Sequence, residues 1–230
     1  MTTPPAAPTQ SALPDRASFT FVVHRLTYPE LWRLANHSWF GFLLLVHLKL
    51  TKSPRLDRID TYTYAATLLL DAEIPLHAQD RLRSAQVQYA ELGFRYLGID
   101  DEILRVKGCV AYFARGPVIG IQVILPKHNF TMLQSFPPGS LPFVSANGRG
   151  IIDNSALYET LLVPKLRIAE LFERHSARIA ALALPDLSDA EVLAHLEQVA
   201  RDARALQVAR GVFVPHPLVP PLLPKDYGAK

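Results

Sequence analysis

Cysteine is almost absent from this sequence, which limits both its covalent chemistry and the compartment that it indicates. Cys109 is the single cysteine, so an intrachain disulfide is impossible and a cage of several thiolate ligands is excluded. The first residues also lack the basic segment followed by an apolar run that a secretory signal requires. We therefore expect a cytoplasmic protein, in which Cys109 is a small buried side chain.

The chain also lacks a block of like charge. Its 24 lysines and arginines are nearly balanced by 21 aspartates and glutamates, and the basic residues are spread along the sequence. A surface that binds nucleic acid usually shows a basic stripe with interleaved aromatic residues. The sequence therefore does not favour nucleic acid as a partner.

A hydrophobic run long enough to cross a membrane is missing as well. The uninterrupted apolar stretch from Trp39 to Val46 is far shorter than the roughly 20 residues that a spanning helix needs. A wider window, 31–50, brings in two basic side chains, two histidines and an asparagine. This segment is predicted to be a short buried element, a contact surface or a membrane-surface segment, but not a transmembrane helix.

Motifs that would place a phosphate or a metal ion are also missing. The glycines of 116–120 and 148–150 have neither the P-loop Lys-Ser/Thr nor the spacing of a dinucleotide-binding loop, and turns explain both. His24, His37 and His47 are separated by 13 and 10 residues, which matches no compact set of zinc ligands. The sequence predicts no cofactor and no metal site.

Isolated titratable residues give weak indications of catalysis. His175 lies on an apolar helical stripe, where a half-buried core histidine is favoured over a general base. The acidic residues 100–102 lie between two strands, where solvation is favoured over acid–base chemistry. Catalytic residues stay unassigned, and an enzyme whose site is assembled from dispersed residues is retained as an alternative.

The sequence does contain the apolar patterns of a globular α+β domain. Apolar residues make up 49% and charged residues 20% of the 230 residues, enough for a sizeable core. Residues 18–26 predict a first strand, and 94–135 contains further strand patterns joined by short turns. The predicted fold is α+β, an antiparallel sheet of about four to six strands with helices packed on one face and a C-terminal helix pair.

Three helices have clear start or stop signals. Residues 76–92 predict a helix that Gly93 ends, with Phe94 packing back on Tyr89. Pro164 is predicted at the first position of the next helix, whose apolar stripe includes His175. The last helix has the most specific signal, a capping box from a serine to a glutamate three residues on. Its cap and expected buried face are Ser188, Glu191, Val192, Leu196, Val199, Ala203 and Leu206.

These elements predict one domain with two proline-rich ends. Residues 1–17 are expected to form a flexible arm, 18–211 a single α+β domain, and 212–230 an extended tail. Within the domain, 136–162 is expected to be a long connection, because glycine and proline breakers divide it.

The segment 32–50 is the sequence's best candidate for an interaction site. Its aromatic residues, Trp32, Trp39, Phe40 and Phe42, are the residue types that dominate interface hot spots. The favoured hypothesis is a non-catalytic interaction or assembly subunit that contacts another protein chain or forms a homo-oligomer. The alternatives are a peripheral membrane protein that uses this segment and the dispersed-site enzyme.

Overall fold

The chain folds as an α+β protein, as the sequence predicts. The structure, a computed structural model, describes residues 16–53, 58–63, 68–69, 76–100, 109–125, 129–148 and 153–216. In chain order the elements are β1 (Arg16–Phe21), a 3-10 helix (Val23–Arg25), α1 (Tyr28–Leu34), α2 (Trp39–Leu50), β2 (Arg58–Thr63), β3 (Leu68–Leu69), α3 (Leu76–Glu91), β4 (Arg95–Asp100), β5 (Cys109–Arg115), β6 (Val118–Ile124), β7 (Asn129–Ser135), β8 (Phe143–Ala146), β9 (Glu159–Leu162), α4 (Ile168–Ile179), α5 (Asp189–Ala209) and β10 (Phe213–His216). The predicted arm, 1–17, lies outside the described residues except for the start of β1.

The larger of two sheets forms the centre of the described fold. Its strands follow the order β3-β4-β5-β6-β7-β8-β9. Neighbouring strands are antiparallel except for β8 and β9, which run parallel. Between β5 and β6 the chain turns at Gly116, which has a φ of 52° that favours glycine. The predicted antiparallel sheet is confirmed, with the addition of the parallel pair β8–β9. The glycine-containing stretch 116–120 begins in a hairpin turn.

Helices cover both faces of this sheet, whereas the sequence predicts helices on one face. Helices α3 and α4 pack on the face that presents Phe113 and Leu133. Helix α5 lies over the opposite face, where Val192 and Leu196 pack in one cluster with Tyr112. The division has a simple cause. Residues 109–114 of β5 and all of β6 are buried and, apart from Gln122, non-polar, so both faces of these strands need a cover.

A smaller sheet, with the order β10-β1-β2, packs against α1 and α2. Its core includes Phe19, Leu31 and Phe213, which are almost completely buried. Pro215 lacks an amide donor and is tolerated because β10 is an edge strand in the described sheet. The start of the predicted tail, up to His216, therefore belongs to the fold, and 217–230 lies outside the described residues.

Two local predictions differ from the structure. The connection 136–162 contains β8 and β9, two four-residue strands that are too short to show an alternating pattern. Pro164 does not begin a helix, because α4 starts only at Ile168. Glu170 accepts a hydrogen bond from the amide of Arg167 at 3.2 Å, and this cap fixes the helix start.

The signals at the ends of α5 are confirmed. The amide of Ser188 donates to Glu191 Oε2 at 2.8 Å, and the amide of Glu191 donates back to Ser188 Oγ at 3.4 Å. At the other end Gly211 has a φ of 70°. Val192 and Leu196 are buried as predicted. The boundaries of this helix therefore follow from local sequence alone.

The end of α3 also follows its predicted pattern. The amide of Phe94 donates to the carbonyl of Tyr89 at 3.0 Å, and that of Gly93 donates to Ala90 at 2.9 Å. The rings of Tyr89 and Phe94 lie 5.1 Å apart in an edge-to-face arrangement. Gly93 has a φ of 77°, the left-handed conformation that this ending requires.

We expect Gly93→Val to lower the free energy of unfolding by about 2 kcal/mol, measured by urea denaturation. A Cβ at this position meets Arg115 no closer than 3.7 Å, so the cost comes from the positive φ and not from a steric clash. Gly93→Asn is the matched control, because asparagine tolerates this conformation. Equal stability of the valine variant and the wild type would contradict the assigned helix end.

Candidate functional site

Helix α2 presents an apolar face to solvent, which is the reverse of an ordinary surface helix. None of its residues is buried. The exposed positions share one face because they recur at helical spacing. On that face Trp39 is 69%, Phe40 81%, Leu43 61%, Leu44 50% and Leu50 69% exposed. His47 also lies on this exposed face. Contiguous exposed apolar surface of this kind marks contact sites in soluble proteins.

The four aromatic residues singled out in the sequence lie together but differ in exposure. Trp32 is half-buried, and its ring lies 4.9 Å from that of Trp39 and 5.3 Å from that of Phe42. Phe42 packs against the core of the small sheet. Phe40 points away from that core and is the most exposed of the four. Trp39 and Phe40 therefore form the outer surface, and Trp32 and Phe42 support it from beneath.

Basic groups accompany this helix, and exposed carboxylates are missing from its stretch of chain. Between positions 23 and 53 the sequence has four lysines and arginines but one acidic residue, Glu30, which is completely buried. Arg25 and Lys52 are exposed near the C-terminal end of α2. Lys49 donates to two main-chain carbonyls just before α1, at 2.7 and 2.8 Å. The exposed charge in this segment is therefore positive.

A cavity of about 500 Å³ separates α5 from the main sheet. Its lining is mostly apolar, and small residues on α5 leave the space open. The sheet contributes chiefly Val110, Tyr112, Ile121, Val123, Phe130 and Met132, and α5 contributes Leu196, Val199, Ala200 and Ala203. The predicted buried face of α5 is thus turned toward the sheet, but the small side chains of Ala200 and Ala203, in the middle of the helix, do not fill the gap.

Gln134 is the buried polar group of this cavity. It lines the space from β7, on the same strand face as Met132, and is only 5% exposed. Its Oε1 atom has no hydrogen-bond partner among the described residues. A buried amide oxygen without a partner lowers the stability of a fold. The position of this atom therefore indicates a hydrogen-bond donor from a ligand or from solvent.

The cavity opens toward the edge of the sheet at β9. Asp153, Ser155, Thr160 and Leu162 line it and are also exposed to solvent. The pKa of Asp153 is lowered by hydrogen bonds from Ser155, with smaller contributions from nearby arginines. Arg33 and Arg204 complete the charged part of the lining. The opening is therefore polar and the interior apolar.

His175 lies in a closed polar network between α4 and the main sheet. Its Nε2 and Nδ1 atoms each lie 2.9 Å from a hydroxyl, those of Ser135 and Ser145, and all three residues are completely buried. Arg178 donates to the Ser145 hydroxyl at 2.9 Å. Burial, with a smaller contribution from Arg178, lowers the pKa of His175 to about 4. The ring bonds to two serine hydroxyls, and a substrate has no path to it without movement of α4.

Glu30 joins three distant parts of the chain. Both of its carboxylate oxygens accept from Arg210 at 2.8 Å, and they also accept from the amides of Thr27 at 2.7 Å and Asp153 at 2.8 Å. Burial alone would raise the pKa of Glu30, but these hydrogen bonds together lower it. The pair fixes α1, and with it Arg33, relative to the end of α5 and the cavity opening.

Other candidates from the sequence do not form a site in the described residues. Cys109 is buried, and burial raises the pKa of its thiol, which disfavours the nucleophilic thiolate. Of the acidic cluster, 101–102 lies outside the described residues. Within the described ranges, no three His, Cys, Asp or Glu side chains are grouped closely enough to hold a metal ion.

Gly120, the second glycine of the stretch 116–120, has a packing role. A Cβ at this position would lie 2.5 Å from the ring of Tyr89, so glycine is required for that ring to pack against the strand.

The cavity and Gln134 are absent from the sequence analysis. A weak signal exists: Phe130, Met132 and Gln134 alternate on one face of β7, where a glutamine replaces the apolar residue that the pattern requires. The alanines of α5 give no such signal, because small residues are common in well-packed helices.

Comparison with known proteins gives no indication of family or function. No protein family, characterised protein or solved structure matches the chain. In the part of the chain that the structure describes, no helix combines the length and the apolar character needed to cross a bilayer.

Proposed function

We propose that this protein is a non-catalytic, peripheral membrane-binding protein that docks on anionic lipid surfaces through the apolar face of α2. The observation behind the proposal is the exposure of Trp39 and Phe40 at 69% and 81% on a helix whose outer face is almost entirely apolar. These two side chains alone expose roughly 300 Å² to water, given the 150–250 Å² that aromatic side chains offer. Transfer of such a face into the lipid headgroup region is favourable.

The chemistry of the face favours lipid over a protein partner. A protein interface carries roughly one hydrogen bond per 100–200 Å², yet His47 is the single polar side chain within the exposed face of α2. Contact with the acyl chains of a lipid surface requires no hydrogen bonds at the centre of the contact. Tryptophan at the rim also suits the boundary between headgroups and acyl chains.

The charge distribution favours an anionic surface. Arg25 and Lys52 are exposed beside α2, and the one carboxylate of segment 23–53 is paired with Arg210. Each lysine or arginine near an anionic leaflet contributes about 1 kcal/mol to binding. Attraction by these cations would add to the burial of the apolar face.

Docking on another protein or on a second copy of the chain is the second candidate. Its support is the ring cluster of Trp32, Trp39 and Phe42, whose centroids lie between 4.9 and 6.0 Å apart. Rigid aromatic groups of this kind anchor protein interfaces. The α2 face alone is smaller than the roughly 800 Å² per partner of a standard interface, which places this candidate second.

We expect the wild-type protein to cosediment with vesicles of phosphatidylcholine and phosphatidylglycerol in equal amounts, and less with phosphatidylcholine alone. The double variant Phe40→Ser, Leu43→Ser should reduce the partition coefficient at least tenfold, since two apolar side chains no longer insert. Its free energy of unfolding should stay near that of the wild type, because neither side chain is buried.

Val87→Ser is the matched control, since Val87 is 54% exposed on α3, on a different element. It should leave vesicle binding unchanged, and Lys52→Glu should weaken binding to the anionic vesicles only. If the wild-type protein bound neither type of vesicle, the lipid proposal would be refuted. If sedimentation velocity then shows self-association that Phe40→Ser abolishes, docking on a second copy is the function of this face.

A further inference from the structure

The cavity beneath α5 has the size and lining of a small-molecule site. Its volume of about 500 Å³ lies within the roughly 300–1,000 Å³ of known ligand pockets. Its interior is formed by aliphatic and aromatic side chains of β5, β6 and β7 on one side and by Val199, Ala200 and Ala203 on the other. An apolar ligand would release water from these surfaces with little loss of hydrogen bonding.

Gln134 specifies what the ligand must carry. The residue is only 5% exposed, and its Oε1 atom has no hydrogen-bond partner in the described part of the chain. A primary amide presents an acceptor and a donor side by side. A hydroxyl group can donate a hydrogen bond to Oε1, which a group that only accepts, such as an ether oxygen, cannot do.

The strand register gives the direction of the ligand. Gln134 pairs with Val144 on β8, which pairs with Thr160 on β9, so the amide lies two strands, about 10 Å, from the open edge. On the other side, β5 lies a further two strands away and contributes Val110 and Tyr112 to the lining. The polar group of a ligand would face the opening and its apolar part would extend over β6 and β5.

We propose that this cavity binds a small apolar alcohol, with the hydroxyl group hydrogen-bonded to Gln134 and the hydrocarbon part beneath α5. This site is separate from the apolar face of α2, because it is formed by the cavity beneath α5 and by the amide oxygen of Gln134, which has no partner among the described residues. The opening is lined by the charged residues Arg33, Asp153 and Arg204, so the hydrocarbon part of the ligand is more favourably placed in the apolar interior.

The test compares decan-1-ol with methyl nonyl ether, a molecule of similar length that cannot donate a hydrogen bond. Isothermal titration calorimetry of the wild-type protein should show the alcohol binding about tenfold more tightly than the ether, the factor expected for one buried hydrogen bond. In Gln134→Leu this preference should disappear, because leucine keeps the volume and removes the acceptor.

Two further variants separate the site from a general effect on the fold. Ala203→Phe fills the cavity from α5 and should abolish binding of both molecules, with folding verified by urea denaturation. Gln198→Ala, on the exposed side of the same helix, should bind both as the wild type does. Absence of alcohol binding to the wild type, equal affinities for alcohol and ether, or a preference that persists in Gln134→Leu would each overturn the proposal.

Discussion

Glu30→Ala is expected to lower the free energy of unfolding by about 3–5 kcal/mol, the largest single effect that the structure indicates. The carboxylate is completely buried, and Arg210, itself only 24% exposed, donates to both of its oxygens. Removal of the carboxylate leaves a partly buried cation and the amides of Thr27 and Asp153 without their acceptor. Partly buried donors are costly to leave unpaired, because water replaces the lost partner only in part.

Urea denaturation at pH 7 measures this loss, and Glu159→Ala is the matched control. Glu159 also pairs with an arginine, Arg178, at 3.2 Å, but its side chain is 62% exposed. Exposed pairs contribute at most about 1 kcal/mol. A similar small loss in both variants would show that Glu30 does not hold α1 to the end of α5. Because the folded-state pKa of Glu30 is lowered, its contribution is present at neutral pH and is lost as the pH falls.

Local signals account for the parts of the fold that sequence analysis predicts well. The capping box at Ser188 and the glycine ending at Gly93 involve neighbours within a few residues, so the pattern contains the whole interaction. The strands β5, β6 and β7 follow in the same way, since short connections join them and each contains several apolar residues.

Long-range pairing accounts for what the sequence does not reveal. Glu30 and Arg210 are 180 residues apart, and nothing in either local pattern indicates the other. Two other features also depend on residues far apart in the chain. They are the parallel pairing of β8 with β9 and the position of α5 on the face of the main sheet opposite α3 and α4. The same limit applies to the candidate sites. The apolar run 39–46 is visible in the sequence, but its exposure depends on which neighbours cover it.

The cavity illustrates this limit most clearly. On its face of β7, Gln134 follows the apolar Phe130 and Met132 as a single polar side chain, and Ala203 is an ordinary helix residue. The site arises because β7 and α5, about 70 residues apart in the chain, lie on opposite sides of a gap that the small side chains of Ala200 and Ala203 do not fill. The spacing of residue types does not indicate whether a cavity forms between two elements. Sites with local motifs can therefore be predicted from sequence, whereas sites formed by the shape of the fold cannot.

The buried histidine predicts a strong dependence of stability on pH. His175 hydrogen-bonds to the hydroxyls of Ser135 and Ser145, and Arg178 donates to the second of these. Because the Ser145 oxygen accepts from the Arg178 cation, the favoured tautomer of the neutral ring is the one in which Nδ1 accepts the Ser145 proton and Nε2 donates to Ser135. Protonation would turn a second cationic donor toward the same hydroxyl, in a site that water does not reach. The pKa of about 4 follows from burial first and from Arg178 second.

The sign of the effect follows from the two protonation states. The unfolded chain takes up a proton near pH 6.5, while the folded protein resists it until about pH 4, so acid favours unfolding between these values. The difference of about 2.5 pH units corresponds to about 3 kcal/mol of stability that is present at pH 7 and lost by pH 4. Above pH 7 this residue contributes no further pH dependence.

His175→Gln should remove this part of the pH dependence. The variant is expected to be less stable than the wild type at pH 7, because glutamine does not reproduce both hydrogen bonds, but the difference should narrow or reverse toward pH 4. Urea denaturation of both proteins at closely spaced pH values gives the comparison. Gln198→Ala, which removes an exposed side chain that does not titrate, should reproduce the wild-type profile. Parallel profiles of His175→Gln and the wild type would mean that the ring titrates alike in the folded and unfolded chains, and that the closed network around it opens to water.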